Sequence, residues 1–261
     1  MKYFDSHAHY YDERFESEIN ESVDLLIDAL LEDSVSYIIN VGTSPDTSRM
    51  AAEQARLHEN MYTAIGIHPS DTRFLSDIDS DLADIEKMIL DKSNKCVCLG
   101  EIGLDYHYPD TDKAKQMLYF ERQLALAEKL GIPVCIHDRD AHGDTLETLK
   151  KHPAVRGILH SFSGSPEMAE ELVRMGYYIS FSGTLTFTNA RKPREVAAIL
   201  PKDKVLIETD CPYLAPHPHR GKINHSGYLA YTNATLASIW GISEEECAKI
   251  TAENSRRAFG L

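Results

Sequence analysis

The chain has no apolar run of about eighteen residues, the length that a membrane-spanning helix requires. It also does not begin with a basic stretch followed by an apolar one, so neither a membrane span nor an export signal is expected, and the cytoplasm is the expected compartment. Cysteine is scarce. Five residues, an odd number without framework spacing, exclude a disulfide scaffold and suit a reducing compartment where Cys packs as a small apolar residue. Cys96 and Cys98 stand in an apolar run, and core packing is a better account of them than a thiolate site. Positive charge is short too. With 27 Lys and Arg against 41 Asp and Glu, the net charge of −14 excludes a protein that coats itself onto nucleic acid, since that affinity comes from basic residues. A polyanionic substrate would have to be held locally, and carboxylates gathered around metal ions would make the count overstate the negative field there. Internal repeats, low-complexity tracts and long polar linkers are absent as well.

What is present is one alternation, repeated. At 261 residues and 43% hydrophobic content the chain can bury a large core, and no break divides it, so one domain over residues 1–261 is expected. Eight short runs rich in Val, Ile, Tyr and Cys are candidate strands: "KYFDSHAH", "VSYIINVG", "MYTAIGIHP", "CVCLGEIG", "IPVCIHD", "RGILHSF", "YYISFSG" and "KVLIETD". Helical segments separate most of them. Ser44 before Pro45 and Ser165 before Pro166 are caps followed by proline at the first helical position. "TDKAKQMLYFERQLALAEKLGIP" stops at Gly131 and Pro133, and "GISEEECAKITAENSRRAF" opens with Ser243 and Glu246 spaced as a capping box. Eight strands alternating with helices over this length predict a (β/α)₈ TIM barrel, with a doubly wound sheet as the competitor.

The polar residues separate the two. His7 and His9 follow the first strand, and residues two apart on an extended strand share a face. His68 ends the third run, Glu101 the fourth, His137 the fifth, His160 the sixth and Asp210 the eighth. In a barrel these carboxyl ends converge on one mouth; in a doubly wound sheet the outer strands would not meet. Four histidines (His7, His9, His137, His160) with Glu101 and Asp210 are too many for one metal with an open position, but they suit two divalent ions bridged by a carboxylate. His68 is read as a group that either meets substrate or supports the ligands from behind, and it is kept out of the ligand set. The period of two also places Val97, Leu99 and Glu101 on one face and Cys96 and Cys98 on the other, toward the covering helices. In the eighth strand Leu206, Glu208 and Asp210 share a face, which gives Glu208 a supporting role.

Together "FDSHAH", "GIHP", "GEIGLDY", "IHDR", "HSFSG", "ETDCPYLAP" and "RGKIN" resemble, in order and spacing, the TatD family of metal-dependent deoxyribonucleases, from Met1 nearly to Leu261. The resemblance implies a (β/α)₈ metallohydrolase in which His7, His9, Glu101, His137, His160 and Asp210 are metal ligands and Glu101 bridges. It further implies that His68, Arg139 and the loop from Arg220 to Asn224, with Lys222, lie near the substrate. One departure shows. The family usually follows the last motif with an acidic residue and a proline, whereas His225, Ser226 and Gly227 follow here, which bears on the shape of that loop.

Phosphodiester hydrolysis needs a strong nucleophile, charge neutralisation at the phosphoryl oxygens and help for the leaving alkoxide, and two ions can supply all three. Asp210 is the candidate to orient the attacking water and accept its proton, with Glu101 spacing the ions. Arg139 and Arg220 are candidate bidentate donors to phosphate. Histidine-rich ligation favours Zn²⁺ or Mn²⁺ on affinity, and cellular availability leaves Mg²⁺ open. The expected activity is a metal-dependent nuclease acting on DNA, with single strands favoured and the 3′ end suggested by the resemblance. No membrane and no obligate protein partner is evident. The alternatives are a hydrolase of a small ester, lactone or amide, since the same ions polarise a carbonyl, and an idle scaffold, which the complete ligand set disfavours.

Overall fold

The computed structural model describes residues 1–19 and 22–261. Its strands are β1 (Tyr3–Ala8), β2 (Val35–Val41), β3 (Met61–Ile65), β4 (Cys96–Asp105), β5 (Val134–Arg139), β6 (Gly157–Leu159), β7 (Tyr178–Phe181) and β8 (Val205–Ile207). Each pairs in parallel with its sequence neighbour, in the order β1 to β8. The ends of the sheet meet where Ala8 bridges Cys211, with the Asp210 N–H donating to the His7 carbonyl and the His9 N–H to the Cys211 carbonyl, both at 2.8 Å. The helices are α1 (Glu13–Glu18), α2 (Val23–Asp33), α3 (Pro45–Leu57), α4 (Ile78–Leu90), α5 (Lys113–Leu130), α6 (His142–Lys151), α7 (Pro166–Arg174), α8 (Arg191–Ile199), α9 (Leu229–Trp240) and α10 (Glu244–Phe259). This is the expected (β/α)₈ barrel. Among the described residues, no helix is long and apolar enough to cross a membrane.

Local chemistry sets the element ends. The Ser44 hydroxyl accepts the Thr47 N–H at 3.2 Å and the Thr47 hydroxyl accepts the Ser44 N–H at 2.8 Å, a reciprocal cap on α3. Ser165 caps α7 by accepting the Met168 N–H, and Gly131 ends α5 with a φ of 64°. Ser243 accepts the Glu246 N–H at 3.1 Å, which is the serine half of the box expected for α10.

Two apolar layers follow from the strands' two faces. Phe4, Ile39, Val41, Ala64, Cys98, Cys135, Ile158 and Leu206 fill the barrel, and Phe259 of α10 closes its floor, stacked on Phe4 at 5.9 Å. Outside, Leu99, Val134, Leu159, Ile179 and Val205 pack against Phe120 and Leu124 of α5, Leu172 of α7, Val196 of α8 and Leu236 of α9. The expected faces of β4 are therefore corrected in part: Cys96 does pack toward the helices, but Cys98 points inward and Leu99 outward. The alternation fails because β4 shifts register against both neighbours, once beside Cys98 and again between Leu99 and Ile102. All five cysteines are free, and burial pushes the Cys96 thiol up to about 12 and those of Cys98 and Cys135 well above the ordinary thiol range, so packing remains the account of them.

Candidate metal centre

The carboxyl ends of the strands bring the six expected ligands together. His7 lies within β1, Glu101 within β4 at its shifted register and His137 within β5, whereas His160 follows β6 directly. Asp210 lies beyond β8, in a left-handed conformation with a φ of 58° that turns the chain at the mouth. The face expected to run through Leu206, Glu208 and Asp210 thus stops with the strand at Ile207. Close backbone approach sets the depth of the cluster. A Cβ at Gly100 would lie 2.6 Å from that of Cys135, and one at Gly103 would run into the His137 carbonyl.

The donors fall into two sets that share Glu101. Its Oε2 lies 3.3 Å from His7 Nε2 and 3.8 Å from His9 Nε2, and Asp210 Oδ1 lies 3.7 and 3.3 Å from the same two nitrogens. Its Oε1 lies 2.7 Å from His137 Nδ1 and 2.8 Å from His160 Nε2. Burial alone would raise the Glu101 carboxyl, but the imidazoles of His160, His68 and His7 and the bond to His137 hold it well below the usual carboxylate range. It stays an anion among imidazoles.

The second nitrogen of each ring shows that the inward lone pairs are available for a metal. With the inward nitrogens bare, His9 Nδ1–H donates to the Val41 carbonyl at 2.6 Å, His160 Nδ1–H to Glu208 Oε1 at 3.3 Å, His137 Nε2–H to Asp105 Oδ2 at 3.2 Å and His7 Nδ1–H to Cys135 Sγ at 3.3 Å. Each ring is oriented by the partner behind it, the arrangement that supports imidazole ligands. Nitrogen and carboxylate oxygen donors converging in this way fit divalent zinc, manganese or magnesium.

His68 is different. Its Nδ1 accepts the Ser70 N–H at 3.1 Å, so the ring proton sits on Nε2, which points at Glu101 Oε1 from 3.4 Å. Burial outweighs the attraction of Glu101 and lowers its pKa to about 3, leaving a neutral donor rather than a ligand. His68, Asp105 and His137 also converge, but His137 Nε2 is already committed to Asp105.

The remaining expected residues are dispersed. Arg139 ends β5 in the open, 5.8 Å from the Tyr108 ring centroid. Arg220 and Lys222 line a cleft beside Tyr213, whose ring meets that of His9 edge-on at 6.1 Å. Asn224, the last of these residues, is held inside its loop. It is fully buried, its amide donates to the carbonyls of Thr209 and Tyr213 at 2.9 and 2.7 Å, and its Oδ1 accepts the His225 N–H. Its side chain clamps the loop.

Three supporting groups lie inside motifs without standing out in them: Asp105, Cys135 and Asp5. Asp5 Oδ2 accepts the hydroxyls of Thr209 and Ser226 at 2.6 and 2.7 Å, and its Oδ1 accepts the Thr209 N–H at 2.9 Å. Burial pushes its carboxyl up to about 6 against those bonds. Ser226, in the departing "HSG" stretch, thus ties the loop to β1. Glu208, expected in a supporting role, is fully buried and accepts from both His160 and the Ser161 N–H, the latter at 2.7 Å.

This architecture has relatives. The pattern of the TatD related DNase family matches residues 4–260. YabD of Bacillus subtilis, an uncharacterized metal-dependent hydrolase, is 41% identical over 260 residues, which are 99% of each chain. YcfH of Escherichia coli K12, likewise an uncharacterized metal-dependent hydrolase, is 34% identical over 259 residues, 98% of this chain and 95% of its own. Among solved structures, that of YjjV, a TatD homologue from Escherichia coli K12, matches with a TM-score of 0.90 at 30% identity, covering 99% of this chain and 98% of that one.

Proposed function

We propose that this chain, which belongs to the TatD related DNase family, hydrolyses phosphodiester bonds of DNA, trimming single strands from the 3′ end with two divalent ions in the donor cluster. It is a metal-dependent hydrolase, as its relatives are named. The observation that carries the finer reading is the division of Glu101, with one carboxylate oxygen facing His7 and His9 and the other facing His137 and His160. Two centres held by one carboxylate suit in-line displacement at phosphorus, where the attacking and leaving oxygens both need their charge neutralised. Divalent ions (Mg²⁺, Mn²⁺ or Zn²⁺) would supply Lewis acidity there and bring a water's pKa toward neutrality.

The chain's own groups do the rest. Glu101 fixes the separation of the two donor sets. The Asp210 side chain is 14% exposed against 4% for Glu101, so Asp210 is the carboxylate at the rim that can orient the attacking water and take its proton. His68, whose Nε2–H is directed toward Glu101, is a neutral donor that a phosphoryl oxygen could use, and Arg139, Arg220 and Lys222 are among the cations available to phosphates of the bound strand.

Prolonged chelation is expected to abolish hydrolysis of end-labelled single-stranded DNA, and added Mg²⁺ or Mn²⁺ to restore it as a ladder receding from the 3′ end. Full activity in metal-free protein would refute the ion chemistry. Turnover of aryl esters or lactones without any cutting of DNA would replace the nuclease by a carbonyl hydrolase.

A further inference from the structure

The cleft beside the donor cluster has a composition at odds with the chain's overall charge. It measures about 410 Å³ and is lined by Arg14, Arg220, Lys222, Phe187 and Tyr213, with Glu18 as its acid. Three cations on one cleft stand out in a chain of net charge −14. Two of them lie over aromatic rings: the Arg14 guanidinium is 3.8 Å from the Tyr213 ring centroid, and that of Arg220 is 4.2 Å from the Phe187 centroid. The first pair is built in place. Asp12 accepts Arg14 Nε and Nη2 at 3.0 Å each and the Tyr213 hydroxyl at 2.9 Å, fixing the cation and the ring beneath it together. Nη1, with two N–H donors, has no partner among the described residues. Arg220 and Lys222 make no ion pair among the described residues and stand exposed.

We propose that this cleft is the subsite for the nucleotides flanking the scissile phosphate of a DNA single strand, with Arg14 as a substrate-positioning residue. The proposal rests on the nuclease reading and extends it from the reacting bond to the rest of the substrate. A guanidinium plane backed by an aromatic ring is a platform on which any base can stack, and unpaired arginine N–H groups bind phosphate oxygens. Tyr213 joins the platform to the metal centre through its edge-on contact with His9, so a strand with one phosphate at Glu101 continues onto Arg14. A small ester or lactone would have no use for a second platform at Phe187.

The test is binding of a labelled six-nucleotide DNA single strand, followed by fluorescence anisotropy across a range of salt, to protein silenced by Asp210→Asn and supplied with Mg²⁺. Cutting of the same strand by the unaltered enzyme is measured alongside. Arg14→Gln and Arg220→Gln, each added to the silenced protein, are expected to weaken binding by about tenfold. Each should also flatten the slope of log affinity against log salt by about 0.7 for every phosphate that is no longer neutralised. Tyr213→Leu should weaken binding without changing the slope, which separates stacking from charge. Since Arg220 has no ion pair to lose, its variant tests the cleft even if Arg14→Gln disturbs α1. If the enzyme cuts the strand and the silenced protein binds it, but neither arginine variant changes affinity or slope, the cleft proposal is overturned and the nuclease reading stands. If the strand is neither bound nor cut, the nuclease reading falls and the subsite with it.

Discussion

The two donor sets that share Glu101 use the same chemistry at the front and different chemistry behind. His7 in β1 and His9 just beyond it are joined by a second carboxylate, Asp210. The nitrogens behind them meet a thiol and a backbone carbonyl. His137 and His160 meet the shared Glu101 at hydrogen-bond distance, with Asp210 converging more loosely on His160, and the nitrogens behind them meet Asp105 and Glu208. A carboxylate behind an imidazole raises its basicity as a ligand; a carbonyl orients the ring without adding charge, and a thiol is a weak partner. Negative charge is therefore supplied to both sets, directly in one and through the rings in the other. The two sets differ in which mutations should reach them.

The largest effect should come from the residue they share. Glu101→Ala is expected to lower turnover by several orders of magnitude, because both sets lose an anion and their common spacing at once. Metal analysis of the purified variant should show occupancy falling in both sets, and Asp210→Ala should cost turnover comparably while sparing the His137 and His160 set. Undiminished turnover and occupancy in Glu101→Ala would mean that the two sets are independent sites rather than one bridged centre.

Asp105→Asn comes next. The substitution keeps the size of the side chain and removes the charge behind His137, and the loss of such an outer partner costs about 10–100-fold in metal affinity. Titration with Mn²⁺ should show the weakening confined to one of two binding steps. Equal weakening of both steps would mean that Asp105 acts on the whole centre, and the contrast between the sets would have to be abandoned.

The sequence makes the front of the centre legible and leaves the back hidden, for a physical reason. His137, His160 and Asp210 each stand where an apolar run gives way at the mouth, and a polar residue in that place is visible without knowing the tertiary path. Asp105 has the same form but sits four residues beyond Glu101 in "GEIGLDY", where a carboxylate steadying an imidazole looks no different from one capping a loop. The signal that could have found it is that the run stays apolar through Ile102 and Leu104, so that β4 delivers a second acid to the mouth. Strict alternation misplaces Cys98 because it presumes a regular strand, and β4 is irregular where Gly100 lets it close on Cys135. Asn224 looks like the end of a basic loop, and only the folded path of that loop turns its amide inward. The barrel itself survives such local errors, because eight apolar runs with capped helices between them fix the order of the sheet whichever way single residues face.

The smallest effect, and the sharpest check on the comparison, belongs to Cys135. Its sulfur lies 3.3 Å from His7 Nδ1 at the inner end of the cluster. Cys135→Ala would leave that N–H buried without a partner, a loss worth about 1–3 kcal/mol of stability. In a chain of this size that lowers the melting temperature by roughly 2–4 °C per kcal/mol. The thiol brings no formal charge to the ring, since burial keeps it protonated far above the ordinary thiol range. Metal affinity should therefore fall only a few-fold, well short of the loss in Asp105→Asn. Cys135→Ser, which restores an acceptor of similar shape, should recover most of the melting temperature and leave affinity close to that of the unaltered protein. Calorimetric unfolding with and without saturating Mn²⁺, beside the same Mn²⁺ titration, reads both quantities. If Cys135→Ala weakens its binding step as much as Asp105→Asn weakens the other, the charge behind the ring is not what distinguishes the two sets, and orientation alone carries the support.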